Sequence, residues 1–413
     1  MGFSNRYSDG LSALITTQNQ EDSYSQINTD IKLGYQLSPD FKIGFYANQT
    51  KLSTEYDESF GLVDADYRFL SKQERLGLTS EYVYHQGSLH MNAAFTQYDS
   101  ENKSNFPSTF KGENYVVDIY NKYTFNDRFH TIVGLNFIKD EAAFVSTKDF
   151  RIVDPYANLV YVSDFGLNLN VGARYNNHSE YGSHLVYNLN PSYTIKTETG
   201  YLKVLTTYAT SYITPSLTQL FGNFGANPDL EPEENRTYEG GLEYAINDGF
   251  RLSGVYFNRK EENFVFYDNI TSTYGNAEET IDAQGAEIEL NWKPNEVVQL
   301  AANYTFTERK GDAAIRIPKH KINATLGFAF SKSTFASLDY VYTGERLDTD
   351  FSTFSNIALA PYSLLNAYAE HELLPKKLKL FVGVQNLFNT EYVEIIGFTT
   401  RGRNINAGLS LNL

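Results

Sequence analysis

The chain has 413 residues, with 34 basic against 50 acidic side chains for a net charge of −16, 15% aromatic residues and no cysteine. The missing cysteine excludes a disulfide framework and any thiolate metal site, the acidic balance excludes nucleic acid as a partner because phosphate contact needs clustered Lys and Arg, and 41% hydrophobic residues exclude a disordered chain. No window approaches the ~18 apolar residues of a membrane helix, which leaves one membrane architecture compatible with low hydropathy: a β-barrel in which lipid-facing and lumen-facing residues alternate.

Residues 1–10 (MGFSNRYSDG) carry no basic patch followed by an apolar stretch, so they are not a secretory signal. A barrel of this kind must be exported, and the expectation is therefore an N-terminally truncated fragment or a mis-started chain. From Tyr24 onward one pattern recurs. Leu167, Leu169, Val171, Ala173 and Tyr175 oppose Asn168, Asn170, Arg174 and Asn176. Leu185, Tyr187, Leu189, Pro191, Tyr193 and Ile195 oppose His184, Asn188, Asn190, Ser192 and Lys196. Ala286, Ile288, Leu290 and Trp292 oppose Glu287, Glu289, Asn291 and Lys293; Ile322, Ala324, Leu326, Phe328 and Phe330 oppose Lys321, Asn323 and Thr325. Leu378, Leu380, Val382 and Val384 oppose Lys379 and Gln385, and the closing segment alternates from Asn404 to Leu413. Period two is a strand with one apolar and one wet face, and the chain holds about twenty such segments.

Tight turns are predicted at Ser38-Pro39-Asp40, His85-Gln86-Gly87, Asn126-Asp127, Asn247-Asp248-Gly249 and Pro375-Lys376-Lys377. Longer polar connections are predicted at 57–66, 99–113, 214–235 and 345–361. Short turns at one end and long loops at the other describe an outer-membrane barrel. A soluble sandwich or propeller also alternates, but about twenty strands would need a very large dry core, whereas a wet lumen inside an apolar exterior pairs every backbone group by closure. Aromatic residues at strand ends, such as Phe264, Phe266 and Tyr267 or Tyr340 and Tyr342, suit interfacial girdles and also occur in soluble sheets. The fold class read from the sequence is all-β, a transmembrane antiparallel β-barrel filling residues 1–413.

Two motifs give this reading a family. Asn227-Pro228-Asp229-Leu230-Glu231-Pro232-Glu233 followed by Tyr238-Glu239-Gly240-Gly241 resembles a signature of TonB-dependent outer-membrane receptors. Asn386-Leu387-Phe388-Asn389-Thr390-Glu391-Tyr392, with Gly402-Arg403 before the last strand, is similar to the family's C-terminal signature. The resemblance covers the barrel part of the family and implies about 20 of its roughly 22 strands. It also implies a preceding plug and a segment contacting the TonB–ExbB–ExbD system, which this chain is expected to lack. Leu413 stands where many such barrels end in an aromatic residue. The motif residues are expected to be structural, Glu233 in particular accepting hydrogen bonds from loop or strand-end amides.

Within the family the chain is most similar to cobalamin receptors, through Arg174–Gly182 (RYNNHSEYG) and Gly344–Phe351 (GERLDTDF). That resemblance implies a cobamide as ligand, with ferric-siderophore receptors as the alternative; a net charge of −16 supplies no cationic funnel for an anionic chelate. Haem receptors fit less well, because they use loop histidines and none lies between His184 and His320. The resemblance further implies calcium held by Asp22, Asp57 and Asp64 from two early loops, with Ser12 where the family has another Asp; hard carboxylate oxygens from two loops suit that ion. The plain alternative is that these acids are solvated or bridged to lipopolysaccharide by divalent ions. No hydrolase, zinc or phosphate-loop motif occurs, and Asn177-His178-Ser179 is read as a loop sequence, so no enzymatic activity is expected. Two functions remain: a TonB-energised outer-membrane receptor among lipid and lipopolysaccharide, or a passive channel or surface-binding barrel.

Overall fold

In the computed structural model the described residues are 1–15, 20–58 and 61–412. Strand dominates, and nearly every strand pairs with the next in sequence. In chain order they are β1 (Gly2–Ser8), β2 (Tyr24–Ser38), β3 (Phe41–Glu58), β4 (Val63–Tyr84), β5 (Gly87–Lys103), β6 (Ser108–Asn126), β7 (Phe129–Ala143), β8 (Thr147–Val162) and β9 (Leu167–His178). There follow β10 (Gly182–Lys196), β11 (Gly200–Ile213), a short helix α1 (Leu217–Phe221), β12 (Glu233–Ile246), β13 (Phe250–Glu262), β14 (Val265–Asp268), β15 (Thr273–Asn276), β16 (Ile281–Trp292) and β17 (Val298–Arg309). The chain closes with β18 (His320–Ser331), β19 (Thr334–Thr343), β20 (Arg346–Asp350), β21 (Ser355–Leu359), β22 (Tyr362–Leu374), β23 (Leu378–Gln385) and β24 (Asn404–Leu411). Twenty strands belong to one sheet, while β14–β15 and β20–β21 form separate hairpins. No helix among the described residues is long and apolar enough to cross a membrane.

Two compact units are distinguished, residues 1–191, 208–236 and 261–280 in the first and 192–207, 237–260 and 281–413 in the second. In the first, β1 to β9 form an antiparallel meander. One register row runs Leu33–Phe45–Leu78–Ala93–Val117–Phe137–Val153 across β2 to β8, apolar throughout. A row on the opposite face runs Asp30–Asn48–Arg75–Thr96–Asn114–Asp140, polar throughout. In the second unit, Trp292–Leu300–Leu326–Leu338–Ala367–Val384–Ile405 crosses seven strands as an apolar row, and Asn291–Ala301–Thr325–Asp339–Asn366 lies one residue away on the other face. The apolar face is the exposed one: Leu78 is 53% and Leu409 66% accessible, whereas Asp154 and Asn235 on the polar side are nearly inaccessible. A water-soluble sheet would reverse this, so the apolar face is built for lipid.

The polar face is held together by side-chain pairs across strands. Asn323 donates to Asn303 at 2.9 Å, Thr325 to Asp339 at 2.7 Å and Asn158 to Asn170 at 2.6 Å. Gly77 and Gly134 sit directly opposite Tyr46 and Tyr156, and a Cβ at either glycine would fall 2.1 or 2.4 Å from the ring carbon. These glycines let a tyrosine lie flat on the wall, and Tyr156 then donates to Asp118 at 2.9 Å.

The five predicted tight turns all lie between paired strands, with Gln86, Asn247 and Lys376 in the left-handed region at φ 65°, 46° and 62°. Beside three of them the apolar face carries an aromatic belt: Phe41 against Tyr82, Tyr84 against Tyr123, Tyr123 against Phe125 and Phe129 against Tyr161, with ring centroids 4.7–6.4 Å apart. That is the girdle position. Phe264, Phe266 and Tyr267 are a correction: they border or enter the β14–β15 hairpin and not the main sheet, Tyr267 packing edge-on to Tyr274 at 5.1 Å. The predicted loops also need correcting. Residues 57–66 and 99–113 are mostly strand, because charged residues such as Lys103 and Lys111 continue the ladder beyond any apolar band, and alternation stops signalling a strand once both faces are wet. Residues 345–361 fold as the β20–β21 hairpin. β4 alone has 22 residues, about 75 Å of strand, roughly two and a half times the ~30 Å thickness of a membrane's apolar core. Leu413 lies outside the described residues.

Leu326→Arg or Leu169→Arg should cost ~2–4 kcal/mol in unfolding from lipid vesicles if the site is near the bilayer midplane. Asn323→Arg or Asn168→Arg should cost far less. Equal costs on the two faces would contradict the assigned facing.

Candidate functional site

In the first unit the long connections lie at the strand ends opposite the tight turns, and residues 214–232 fold onto the polar face there. Ser216 caps α1 in a reciprocal capping box, its Oγ accepting from Gln219 N while Gln219 Oε1 accepts from Ser216 N at 2.8 Å. The cap aims Leu217 into a cluster with Ala142 and Phe150, against which Phe110, Phe144, Ile152 and Phe221 pack. An apolar patch on the inner side of β7 and β8 thus anchors an otherwise polar loop.

The motif residues brace this loop. Asn227 Nδ2 donates to Tyr274 O at 2.9 Å while its Oδ1 accepts from Asp229 N at 2.9 Å, with Pro228 between them. Leu230 is buried, and its carbonyl accepts from the Tyr181 hydroxyl at 3.0 Å. Pro232 O accepts from Asn263 Nδ2 at 3.3 Å, and Glu233 Oε1 accepts from Val265 N at 2.8 Å where β14 begins. Asn276 went unnoticed in the sequence, yet it donates to the carbonyls of Glu231 and Asn263 at 2.9 and 2.7 Å and accepts from Glu231 N at 2.8 Å. No spacing rule marks it, because its partners lie 13 and 45 residues away. Further along β12, Glu239 O accepts from Thr206 Oγ1 at 2.7 Å. Gly240 faces open space; the sterically required glycine is Gly241, where a Cβ would meet Gly254 O at 2.7 Å.

The inner wall beside this loop is rich in amides. Asn136 opposes Asp154 across β7–β8, Asn176 donates to Asp154 at 3.3 Å, and Asn158 and Asn188 crowd Gly172. Arg174 is the guanidinium on this stretch, paired with Asp154 at 3.4 Å and lying over the Tyr156 ring at 5.0 Å. Among the described residues, the second carboxylate oxygen of Asp154 and the amide oxygens of Asn136, Asn176 and Asn188 have no protein hydrogen-bond partner. Buried polar atoms need partners, so this wall suits water or a polar ligand. A hollow of about 300 Å³ opens between Asn158, Arg174, Asn188 and Thr210. His178 and Ser179 form no dyad: His178 Nδ1 accepts from the Glu180 and Tyr181 amides, and Ser179 Oγ accepts from Arg151 N. His178 packs against the Phe150 and Tyr181 rings at 4.7 and 5.2 Å.

Asp22, Asp57 and Asp64 turn toward the backbone of Ala13, Leu14 and Gln20. Asp22 Oδ2 accepts from Ala13 N at 2.7 Å, Asp57 from Leu14 N at 3.2 Å and from Ala65 N at 3.1 Å, and Asp64 from Gln20 N at 2.8 Å. Ser12 is buried and donates to Leu14 O at 2.8 Å. Burial pushes the Asp22 carboxyl above its ordinary range, and the Asp57 and Asp64 charges raise it further against the lowering effect of the Ala13 amide. Among the described residues no group of three or more His, Cys, Asp or Glu side chains is gathered as a finished metal cage.

In the second unit the C-terminal motif forms its own knot. Asn386, buried and left-handed at φ 49°, accepts from Thr390 N at 2.8 Å and donates to Thr390 O at 2.9 Å, while its own amide donates to Asn366 Oδ1 at 2.9 Å. Leu387 N donates to Leu365 O at 2.7 Å, and Phe388 is exposed. Asn389 Oδ1 accepts from Arg403 N at 2.7 Å, which leaves room only for a glycine at Gly402. Tyr392 packs on Tyr362 at 4.5 Å. Arg346 donates to Val393 O and stacks over Tyr362 at 5.3 Å, and fully buried Asp348 joins Arg316 Nε at 2.7 Å to Ile396 N at 2.8 Å. The Gly344–Phe351 segment is therefore a structural clamp on the motif.

Comparison with known proteins matches the profile "TonB dependent receptor-like, beta-barrel" over residues 1–387. The vitamin B12 transporter BtuB of Vibrio cholerae serotype O1 is 23% identical over 400 residues, covering 93% of this chain and 64% of the relative. The chain thus spans about two thirds, 64%, of the length of the curated relatives it matches. By fold it is similar to the siderophore receptor PirA from Acinetobacter baumannii, at TM-score 0.81 and 14% identity over 97% of this chain and 71% of that one. It is also similar to the copper transporter OprC, at TM-score 0.81 and 13% identity over 98% of this chain and 74% of that one. The chain belongs to the TonB-dependent receptor β-barrel family, a family of outer-membrane receptors and transporters in Gram-negative bacteria.

Proposed function

We propose that the chain is the ligand-admitting barrel of an outer-membrane transporter for a cobamide, energised by TonB–ExbB–ExbD in the complete protein. The observation that carries this reading is the amide-lined inner wall of β7 to β10, where the Arg174 guanidinium is already neutralised by Asp154. A cobamide is a bulky complex edged with carboxamides, and Asn side chains can both donate to and accept from such groups. Sequence similarity to a vitamin B12 transporter along 93% of the chain supports the same reading. A ferric siderophore is the second reading, favoured by the siderophore receptors among the proteins of similar fold.

Calcium belongs to the proposal. Asp22, Asp57 and Asp64 crowd one loop segment; burial is the main cause of the raised Asp22 carboxyl, and a divalent ion would offset both that burial and the added repulsion from Asp57 and Asp64. Asp22 is protonated more readily in the fold than in the unfolded chain. Its contribution to loop stability is therefore present at low pH and lost as pH rises through the raised value, unless a cation takes the proton's place. Calcium should bind more tightly as pH rises across that window.

Calorimetry with cyanocobalamin should give saturable binding that strengthens with calcium. Asp22→Asn with Asp57→Asn should reduce affinity to its calcium-free level. A ferric catecholate that binds while cyanocobalamin gives no heat would reverse the ligand assignment. Calcium-independent binding in the unaltered chain would remove the metal but not the cobamide. Asn276→Ala should leave the sheet intact and loosen the 225–232 loop, read as faster hydrogen exchange at Tyr274 and Glu231, at a stability cost of about 1–3 kcal/mol.

A further inference from the structure

At the long-loop end of β9 a buried histidine makes contacts that only its neutral form can make. His178 is 4% exposed. Its Nδ1 accepts from Glu180 N at 3.1 Å and from Tyr181 N at 3.4 Å. A ring nitrogen that accepts carries no hydrogen, so the single hydrogen of the neutral imidazole sits on Nε2. Among the described residues Nε2 has no hydrogen-bond partner. A second proton would have to go on Nδ1, where it would point at two amide hydrogens.

The contacts of this ring lead to both ends of the loop that lies on the polar face. Phe150, at 4.7 Å from the ring, shares a cluster with Leu217 of α1. Tyr181, at 5.2 Å, donates its hydroxyl to the carbonyl of Leu230 at 3.0 Å. Leu217 and Leu230 are both buried. Opening the 178–181 turn would displace Tyr181 and free Leu230.

The charges around His178 come from each element packed on it. Asp140 of β7, Asp154 of β8 and Glu180 of its own turn are the facing carboxylates. Two cations stand nearby: Arg174, paired with Asp154, and Lys148, over the Phe221 ring at 4.7 Å. β10 brings His184, stacked on Tyr212 at 4.2 Å with Glu234 3.7 Å away. α1 carries no acidic or basic side chain, and the Tyr181 and Tyr212 phenols are neutral in acid. The carboxylates thus attract a proton that the two amide donors cannot accommodate. An opened turn leaves the imidazole to titrate near the ordinary histidine value of about 6.5. The closed turn binds fewer protons than the open one, so closure is fully favoured above that value and weakens as pH falls below it.

We propose that His178 is a proton-operated latch on the 214–232 loop. Neutral, it fixes Tyr181 and through it Leu230, holding the loop on the polar face; protonated, it lets Tyr181 go and the loop loosens. The latch acts on the loop itself and stands whether or not the transported ligand is a cobamide.

The test is hydrogen exchange of the full chain in non-ionic detergent, corrected for the intrinsic pH dependence of amide exchange. Between about pH 7.5 and about pH 5.5, opening of residues 178–184 and 217–232 should rise about tenfold, the change that one proton titrating near 6.5 supplies. The ladder of β2 to β6 should not respond. His178→Asn puts an amide oxygen in place of Nδ1 without a titrating group, and should make both segments insensitive to pH. His184→Asn should leave the tenfold response intact. A flat profile in the unaltered chain, or a full response surviving in His178→Asn, would overturn the proposal, as would loss of the response in His184→Asn. If His178→Asn does not fold, proton–nitrogen correlation spectra of the unaltered chain decide. An imidazole with its hydrogen on Nε2 that titrates in step with loop opening supports the latch, and a hydrogen on Nδ1 at about pH 8 ends it.

Discussion

Inside a bilayer an unpaired amide has no water to turn to, and each one costs several kcal/mol. That constraint organises this chain. It forces long strands that pair with their sequence neighbours, and it makes the side-chain faces carry all the chemistry. Because the backbone ladder is saturated, the apolar rows are free to face outward and the polar rows inward, the reverse of a soluble sheet. The inverted arrangement then needs its own internal cement, since no dry core exists to supply packing. Amide and carboxylate pairs such as Asn323–Asn303, Thr325–Asp339 and Tyr156–Asp118 take that role. Each bond contributes modestly, on the order of 1 kcal/mol, but the same geometry repeats on strand after strand.

The loops obey a different rule. They lie in water, so backbone pairing is not enforced by the solvent, and they hold shape through buried side chains that reach distant carbonyls. Half-buried Asn276 and buried Asn386 and Asp348 each satisfy partners from separate segments, Asn386 reaching both Thr390 and Arg401 O. Asn227 and Glu233 work alike, tying the 225–233 stretch to β14 and β15. The two family motifs are thus loop fasteners, one in each unit, and they keep the long-loop end shaped while leaving the inner wall available.

The strands were legible because alternation records which medium each face meets. Leu326 and Asn323 announce their sides directly. Legibility ended where the medium changed. At Lys103–Lys111 and Asp57–Asp66 both faces are wet, so strand and loop look alike in sequence, and only the register continuing from the apolar part extends the ladder. The aromatic run Phe264–Tyr267 misled for a related reason: a hairpin that packs tyrosine on tyrosine outside the main sheet has the same composition as a membrane girdle. The loop fasteners were half legible. Asn227, Glu233 and Asn386 sit in recognisable motifs, but Asn276, Arg316 and Asp348 do not, because their partners are fixed by tertiary distance rather than spacing.

The choice of cargo rests on side chains, since receptors of one fold are named for siderophores and for copper alike. An anionic ferric complex approaching β6 to β10 would lose hydration against Asp118 and Asp154. Lys148 on the inner face of β8 lies over the Phe221 ring at 4.7 Å, and Arg174 is held by Asp154 and stacked on Tyr156. Prising it away would leave a carboxylate that is only 3% exposed without its charge partner, which is among the more expensive changes a protein interior can make. A neutral complex rimmed with amides meets no such penalty. It can exchange hydrogen bonds to water for hydrogen bonds to the side-chain amides of this wall. The proposed cobamide reading thus rests on the charge pairing of this wall as well as on sequence similarity.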